Sequence, residues 1–429
     1  MATTETIRFT EDELPRSLTH GPTRRHLTGP GLPAGEGHLF RFGPPRTLGG
    51  GLLVLGGLSP GGAGSDGRPA AEGARSGGSR SDGAWSGGVR GHRPGPLVTL
   101  EGATGRLFLT PRPGPDAGQH HPYDGPGPRP APGDPLAPDL PTLLRFERAV
   151  REFTEPADPG GPPTAHGGPR YGPGAEALAR RHLLDLFRAE LHGAPVPVFW
   201  LVTAWVRPLA RVPTPGLHLQ VDLPGRLLDE EFGAGEVSRC EDADLPAALT
   251  HEPTRRFLKD VGLPEEEHDF VAARLPLRTL AEHHRGAHPV TGRPADLPAR
   301  AGRLIPVGHL MHDTDVVVDG PTGAVLSWHW ADPGPRPLNT DVSTLAFTHW
   351  LGHRARDWDA ARDPGGRTAQ SGDLLAGAVH AVLKSVDPVT ARHPETAWTS
   401  TAGRPDRRPP LHPPYDETSP ATFAWESAD

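Results

Sequence analysis

A phrase of sixteen residues that occurs twice is the feature that most constrains how this chain folds. LTHGPTRRHLTGPGLP runs from Leu18 to Pro33 and LTHEPTRRFLKDVGLP from Leu249 to Pro264, with 11 identities in 16 positions. When both are extended backwards, to Leu14 and Leu245, the identities are 13 of 20. Because such self-similarity is the signature of repeated structural units, the fold is sought first as two related modules.

Three further pairs of segments match in the same order along the chain. LLVLGGL at 52–58 resembles LIPVGHL at 304–310, and VTLEGATGRLFL at 98–109 resembles VVVDGPTGAVLS at 316–327. DLPTLLRF at 139–146 then resembles DVSTLAFT at 341–348. Collinear matches support one another, so the sequence predicts an internal duplication in which the N-terminal copy has diverged.

Each block has a local physical interpretation. The Thr-His pair before Pro-Thr-Arg-Arg predicts a helix with Thr or His at its N-cap and Pro in its first turn. Gly31 and Gly262 stand where a helix stops, and the following Leu-Pro does not continue it. VVVDGPTGAVLSW predicts a β-hairpin. Asn339, Thr340 or Asp341 is expected to cap a further helix, whose apolar face is given largely by Val342, Leu345, Phe347 and Trp350.

Composition limits how much of the chain packs into a core. Gly and Pro make up 55 and 54 of the 429 residues, and hydrophobic residues only 35%. Two modest cores joined by loose material are therefore expected, in place of one large core. The Gly/Ser/Arg-rich insert near 59–96 is predicted to be disordered, and a second polar, Pro-rich stretch covers 110–138.

The segment between the two copies is predicted to form one helix and two strands. AEALARRHLLDLFRAELHG is amphipathic and ends at Gly193, VPVFWLVTAWV follows as a strand candidate, and GLHLQVDLP alternates as a short strand. A helix over GDLLAGAVHAVLKSV interrupts an otherwise irregular C-terminal tail. The expected domains are a divergent module at 1–155, a bridging segment at 156–221, a second module at 222–360 and a mostly irregular, Pro-rich tail at 361–429.

These blocks resemble a known family. LLDEEFG at 227–233, LPAALTHEPTRRFLKDVGLP, LIPVGHL, VVVDGPTGAVLSW and LNTDVSTLAFTHWL look like the successive blocks of the SUKH superfamily, specifically its family 4. The resemblance covers about 222–354 well and about 7–153 more weakly. It implies an α+β fold, in which each module packs a mixed β-sheet against helices. It also implies a non-catalytic bacterial immunity protein that binds and neutralises a cognate toxin domain of the nuclease or deaminase type, as part of a polymorphic toxin system.

Charge is consistent with a protein partner that is basic. Fourteen acids and five basic residues lie between Asp222 and Phe270, a balance of −9 that accounts for the chain's net charge of −8. Such a segment repels nucleic acid and attracts a basic protein, although a solvated helix surface has the same composition. The residues predicted to contact the partner are acids after the second GLP and near the hairpin, with two aromatic anchors: Glu265, Glu266, Glu267, Asp269, Asp313, Asp315, Trp328 and Trp330.

Alternative functions have weaker support in the sequence. His309, His312, Asp313 and Asp315, and separately the i, i+4 pair His349 and His353, offer metal-ligand types, but neither forms an HExxH motif, so no metal or cofactor is predicted. Asp319 in DGPTG begins a turn and lacks the Asp-Thr-Gly order of aspartic proteases. The single cysteine, Cys240, has acidic neighbours that make it a poor nucleophile. A non-enzyme is therefore predicted.

The remaining expectations concern location and partner class. The N-terminus has no secretory pattern, and no apolar run approaches the roughly 18 residues of a spanning helix, so a cytoplasmic protein without membrane contact is expected. Arginines in the insert lack interleaved aromatic residues, which argues against nucleic-acid binding. Two functions remain open: an immunity protein, and a scaffold or regulatory binding protein of the same fold with a non-toxin partner. The sequence leaves the oligomeric state undetermined.

Overall fold

Within the residues that the structure describes, the chain folds into two large antiparallel sheets, three two-stranded ladders and ten α-helices. The computed structural model describes residues 6–34, 38–59, 95–112, 133–154, 169–268, 270–285, 297–310, 314–329, 334–362 and 369–392. The predicted disordered insert and most of the second polar stretch lie outside these ranges, as does the end of the tail. The predicted α+β class is confirmed.

The described residues of the N-terminal half and the bridging segment form nine strands and four α-helices. The strands are β1 (Thr6–Ile7), β2 (Leu32–Pro33), β3 (Phe40–Gly49), β4 (Leu52–Leu58), β5 (Leu97–Glu101), β6 (Leu107–Thr110), β7 (Asp134–Ala137), β8 (Thr214–Pro215) and β9 (Val221–Asp222). The helices are α1 (Gly21–Thr28), α2 (Leu140–Thr154), α3 (Pro173–Glu190) and α4 (Val198–Val206), and short 3-10 turns occupy Glu11–Glu13 and Arg207–Arg211.

In the C-terminal half, the ranges that the structure describes form eight strands and six α-helices. The strands are β10 (Val237–Ser238), β11 (Leu263–Pro264), β12 (Glu266–Glu267), β13 (Phe270–Ala272), β14 (Leu304–Leu310), β15 (Thr314–Asp319), β16 (Val325–His329) and β17 (Arg336–Asn339). The helices are α5 (Leu227–Phe232), α6 (Glu252–Asp260), α7 (Leu280–His283), α8 (Val342–Arg362), α9 (Ala369–Val386) and α10 (Pro388–Arg392), and a 3-10 turn occupies Asp242–Asp244.

Two large sheets organise the molecule. The first sheet has the order β3-β4-β5-β6-β7 and the second sheet the order β12-β13-β14-β15-β16-β17. The pairs β1-β2, β8-β9 and β10-β11 form three further two-stranded ladders. All of these pairings are antiparallel, which corrects the expectation of mixed sheets. Neighbouring strands of each large sheet also follow one another along the chain, so no crossover connection between parallel strands is required.

The two large sheets have the same register at their centres. The pairs in the first sheet are Leu52 with Glu101, Leu53 with Leu100, Val54 with Thr99 and Gly56 with Val98. Those in the second sheet are Leu304 with Asp319, Ile305 with Val318, Pro306 with Val317 and Gly308 with Val316. Each ladder has an irregularity at the same place, just before Gly56 and just before Gly308. The matched segments of the sequence therefore occupy equivalent places.

The repeated Leu-Thr-His phrase holds a helix against the hairpin turn of its own sheet. The backbone N–H groups of Thr250 and His251 both donate to the carbonyl of Gly320, at 3.1 and 2.9 Å. In the N-terminal half, the N–H groups of Thr19 and His20 donate to the carbonyl of Gly102 in the same way, both at 2.9 Å. The approach is so close that a Cβ on Gly320 would lie 2.1 Å from the carbonyl oxygen of Ala248.

The histidine and the first arginine of the phrase also have the same contacts in both halves. Nδ1 of His251 lies 2.9 Å from Oγ1 of Thr254, and Nδ1 of His20 lies 2.8 Å from Oγ1 of Thr23. Arg255 donates to the carbonyl of Leu249, as Arg24 does to that of Leu18. These residues are therefore structural, and they fix where α1 and α6 begin.

The Gly-Leu-Pro stop has a second role that the sequence did not reveal. Gly31 and Gly262 have φ of 81° and 82°, in the left-handed region that favours glycine. After each glycine, the Leu-Pro pair forms a short strand, β2 or β11, that pairs with β1 or β10. The phrase thus ends a helix and immediately closes a two-stranded ladder.

Helix α4 corrects the strand predicted for VPVFWLVTAWV and joins the two cores. Phe199, Trp200 and Ala204 pack in the core under the first sheet, and Val202 and Val206 pack in the core of the second sheet. Two apolar faces suit a helix that lies between two cores, and Val198 on the remaining face is exposed. A short apolar run alone does not distinguish helix from strand. Of the predicted strand in GLHLQVDLP, the two residues of β9 form part of a ladder.

Helix α9 confirms the predicted helix in the C-terminal tail and contacts both cores. Leu374 packs in the first core, and Leu375, Val379 and Val382 pack in the second. After α9, the buried carboxylate of Asp387 accepts hydrogen bonds from Asn339 at 2.8 Å and from the hydroxyl of Thr340 at 2.6 Å. Part of the segment expected to be an irregular tail is therefore bound to the residues just before the N-terminus of α8.

Trp200 provides a test of the shared core. Its ring packs edge-on against Phe146, with centroids 5.1 Å apart, and its Nε1 donates to the carbonyl of Leu136 at 2.7 Å. Truncating a buried Trp removes these contacts and leaves a cavity, so Trp200→Ala should lower the free energy of unfolding by about 3–5 kcal/mol. Urea unfolding followed by circular dichroism measures this change. Leu217→Ala, at a side chain that is 83% exposed, should change it by no more than about 0.5 kcal/mol, and equal losses in both variants would contradict the assignment.

Candidate partner-binding surface

One row of residues crosses the second sheet and brings together three of the predicted contact residues. The register pairs Glu266 with Val271, Val271 with His309, His309 with Asp315, and Asp315 with Trp328. Directly paired residues of antiparallel strands point to the same face of a sheet. We call these five residues the cross-strand row. It runs from an exposed edge at Glu266 to a buried end at Trp328.

The cross-strand row lies on the face of the sheet that points away from α8. Phe270, which precedes Val271 of the row, points to the opposite face of the sheet. There the centroid of its ring lies 4.2 Å from that of His349 on α8. On the face of the row, α7 covers the buried end, and Leu280 packs with Trp328 and Val317 in a small separate cluster. The exposed end retains Val271, which is 50% exposed, beside the side chain of His309, which is 41% exposed.

Strand alternation separates the acids that follow the second Gly-Leu-Pro. Glu265 and Glu266 are exposed, whereas Glu267 is buried and points to the face of α8. There its carboxylate forms an ion pair with Arg356 and lies 3.1 Å from Nδ1 of His353. Glu265 and Glu266 therefore present charge to solvent, and the charge of Glu267 is satisfied inside the protein.

Asp315 is the centre of a polar cluster at the buried end of the row. Its Oδ1 lies 2.5 Å from Nδ1 of His309, and its Oδ2 lies 3.0 Å from Nε2 of His284. The ring of His283 lies 4.8 Å from that of His284 and 5.7 Å from that of His309. His283 ends helix α7 and His284 follows it, so α7 brings both residues here, and it begins with a capping box formed by Thr279 and Glu282.

The cluster changes the proton affinities of its members. Burial alone would raise the pKa of Asp315, but the hydrogen bonds from His284 and His309 outweigh it and hold the pKa at about 2. The hydrogen bond to Asp315 raises the pKa of His309. Burial and the neighbouring His284 lower the pKa of His283. The pair of Asp315 and His309 is therefore best described as an ionised carboxylate bound to an imidazole that retains its proton more firmly than usual.

The other predicted contact residues are less accessible or lie outside the described residues. Trp328 is 1% exposed and packs in the interior, and Asp315 is 6% exposed. Asp269, Asp313 and Trp330 fall outside the ranges that the structure describes. The exposed part of the prediction therefore consists of Glu265 and Glu266, and the register adds Val271 and His309 beside them.

The first sheet lacks this polar cluster at the equivalent positions. By the shared register, Gly57 stands in the place of His309 and Leu97 in the place of Asp315, and these two residues pair with each other. Leu97 also pairs with Thr110, which stands in the place of Trp328. The chemistry of the cross-strand row is thus specific to the second sheet.

Much of the acidity between Asp222 and Phe270 is neutralised by pairing within the protein. Five of the acids form an ion pair with a basic side chain at 3.3 Å or less: Asp229 with Arg239, Asp242 with Lys259, Glu252 with Arg256, Glu231 with Arg354 and Glu267 with Arg356. Exposed ion pairs of this kind contribute little stability each. The surplus charge is carried by acids such as Glu265 and Glu266, at the edge of the second sheet.

The residues of the weaker alternatives have structural explanations. Burial lowers the pKa of His349 to about 3, so the pair of His349 and His353 is divided between the core and the half-exposed surface of α8. Burial and Asp244 raise the pKa of the Cys240 thiol to about 11, which agrees with a poor nucleophile. Asp319 is 4% exposed and accepts a hydrogen bond from Arg303 at 2.7 Å, as a residue of the hairpin turn.

Sequence reasoning missed the residues that other elements bring to these places. His283 and His284 were not singled out, although the Thr-x-x-Glu spacing before them is typical of a helix start. Val271 was missed because a single valine in a three-residue strand carries no signal by itself. Glu231 was quoted only as part of LLDEEFG, and Asp387 was not considered.

A comparison with protein-family models gives a match in the second half of the chain. The family model described as SUKH-4 immunity protein matches residues 223–404. No curated protein matches the chain. No solved structure matches it either. Among the described residues, no helix is both long and apolar enough to cross a membrane.

The Asp315 cluster leads to a prediction about pH. Asp315 stabilises the fold above its ordinary pKa of 3.8, and this contribution is lost as the pH falls towards 2. His309 contributes below its ordinary pKa of 6.5, and its contribution is lost as the pH rises through the higher folded value. Asp315→Asn should therefore cost roughly 1–3 kcal/mol, most between about pH 4 and 6.5.

Two measurements check the effect of Asp315→Asn. Urea unfolding at several pH values gives the loss of stability, and an NMR titration should show the pKa of His309 falling. Asp260→Asn, at an exposed acid on α6, is the matched control and should alter neither quantity. An unchanged pKa of His309 would show that Asp315 does not stabilise the protonated form of His309.

Proposed function

Because residues 223–404 match the family model described as SUKH-4 immunity protein, we propose that this protein binds and neutralises a cognate toxin domain of the nuclease or deaminase type. The family match is the observation that carries the proposal. Neutralisation by a protein of this kind occurs by binding and requires no chemistry of its own, which agrees with the predicted non-enzyme. The proposed place of action is the cytoplasm of the cell that makes the toxin or of its kin.

We further propose that the partner docks on the exposed end of the cross-strand row. Glu265 and Glu266 supply negative charge there, and Val271 supplies an apolar contact at their side. The substrate-binding face of a nuclease is basic, so an acidic inhibitor gains association rate and specificity from complementary charge. The cluster of Asp315, His309 and α7 holds the strands that present these residues.

The internal duplication is part of the same proposal. The shared register and the repeated contacts of the Leu-Thr-His phrase support a common origin of the two halves. The N-terminal half lacks the His309–Asp315 pair, so we assign partner binding to the second half. In this view the first half serves as a structural neighbour that shares α4 and α9.

A scaffold or regulatory protein of the same fold with a non-toxin partner is the alternative. Co-expression with the toxin domain encoded nearest to its gene distinguishes the two. If the protein is an immunity protein, cells that make the toxin should grow when this chain is also made, and the purified pair should form a complex. Soluble, abundant protein that forms no complex and leaves growth blocked would favour the alternative for that partner.

Charge reversal tests the docking surface separately. Glu265→Lys combined with Glu266→Lys should reduce the association rate with a basic toxin domain about tenfold and weaken its dependence on salt. Association rates measured by surface plasmon resonance at low and high salt check this. The control changes the same net charge elsewhere, with Glu230→Lys and Asp260→Lys, both of which are exposed. Equal effects in the two double variants would remove the edge of the second sheet from the interface.

A further inference from the structure

A group of metal-ligand side chains lies on the face of the second module opposite to the cross-strand row. Glu231 of α5 meets His353 and Asp357 of α8, and one ligand atom from each lies within 4.8 Å of the other two. His353 and Asp357 are four residues apart, so they share one face of α8. The side chains of Glu231, His353 and Asp357 are 15%, 28% and 62% exposed, so the group opens to solvent on the side of Asp357.

The contacts of His353 fix which of its nitrogen atoms is available. Nδ1 lies 3.1 Å from Oε2 of the buried Glu267, and a carboxylate only accepts a hydrogen bond, so Nδ1 carries the proton. Nε2 faces Oδ2 of Asp357, 3.5 Å away. Either a proton on Nε2 or a metal ion between the two atoms makes this approach favourable. Metal-bound histidines have the same arrangement, in which a carboxylate holds the other ring nitrogen.

The remaining contacts hold the ligands in place before any ion binds. Nε1 of Trp350 donates to Oε2 of Glu231 at 3.2 Å, and Arg354 donates to its Oε1 at 3.3 Å. The ring of Phe232 packs on that of His353, with centroids 4.8 Å apart. Ligands that are already oriented lose little conformational freedom on binding. Glu231 and His353 are held in this way, and Asp357 is the adjustable member.

The local charges are compatible with a bound cation. Three carboxylates, those of Glu231, Glu267 and Asp357, lie around His353. Two guanidinium groups, those of Arg354 and Arg356, oppose them, and each forms an ion pair with Glu231 or Glu267. Asp357 is the acid that these two ion pairs leave over, and it lies beside Nε2 of His353. An ion at that position would be attracted by the carboxylate and would also bond to the ring nitrogen.

We propose that Glu231, His353 and Asp357 bind a divalent transition-metal ion, with zinc as the best match, and that Glu267 orients His353 from behind. Imidazole with carboxylates is a ligand set for zinc, whereas calcium and magnesium take oxygen ligands throughout. Three protein ligands leave a coordination position open towards solvent. The ion would join α5, which opens the family-matched segment, to α8, and so would stabilise the folded module.

Calorimetric titration of the full-length protein with zinc chloride tests this proposal. The protein is first stripped with EDTA, and the titration is carried out at pH 7.5. Wild-type protein should bind one equivalent that His353→Gln lacks, and Asp357→Asn should bind it at least tenfold more weakly. Glu267→Gln should weaken binding 10–100-fold without removing a ligand. His218→Gln, at an exposed histidine outside the group, is the control and should keep the full number of equivalents.

A second readout separates binding from folding. Zinc should raise the Tm of wild-type protein and of His218→Gln, and by less that of Asp357→Asn, whose side chain is mostly exposed and whose metal-free fold should be intact by circular dichroism. Cobalt(II) in place of zinc should give visible absorption bands that are lost in His353→Gln. The proposal is overturned if His353→Gln and Asp357→Asn bind as many equivalents as wild-type protein with the same affinity, or if wild-type protein binds no stoichiometric zinc.

Discussion

The burial of α4 between the two cores is the constraint on which the arrangement of the two halves depends. Its nine residues contain no charge, and they divide between the two cores, with Trp200 on one side and Val202 and Val206 on the other. Fully burying such side chains contributes about 1.5–3 kcal/mol each. Because neither sheet covers α4 alone, the sheets, α3 and α9 take positions that close around it.

Local chemistry explains which parts of the fold were predictable. The starts of α1 and α6, the Gly-Leu-Pro stops and the hairpin between β15 and β16 depend on neighbouring residues, and all are as the sequence indicates. The strand predicted for α4 was wrong because β-branched and aromatic residues favour a strand, whereas burial on both sides decides for a helix. That burial comes from residues far away in the chain, which local patterns do not contain.

The candidate surface was predictable in residue type but not in arrangement. Acidity singled out Glu265, Glu266 and Glu267 alike, and the register of β12 with β13 turns Glu267 inward. Asp315 was also singled out, yet its two histidine contacts come from α7 and β14, which are separated from each other along the chain. Cross-strand neighbours are set by register, and the sequence specifies register only through the whole sheet.

The shared helix has a consequence for how this gene can recombine. The family-matched segment begins at residue 223, but Val202, Val206, Leu209 and Val212 line the core of the second sheet from outside that segment. A recombination event that moved only the matched segment into another gene would remove these four apolar side chains and expose the part of the core that they cover. A gene segment that encodes the module with its complete core therefore begins upstream, at α4. The family-matched segment is shorter than this module.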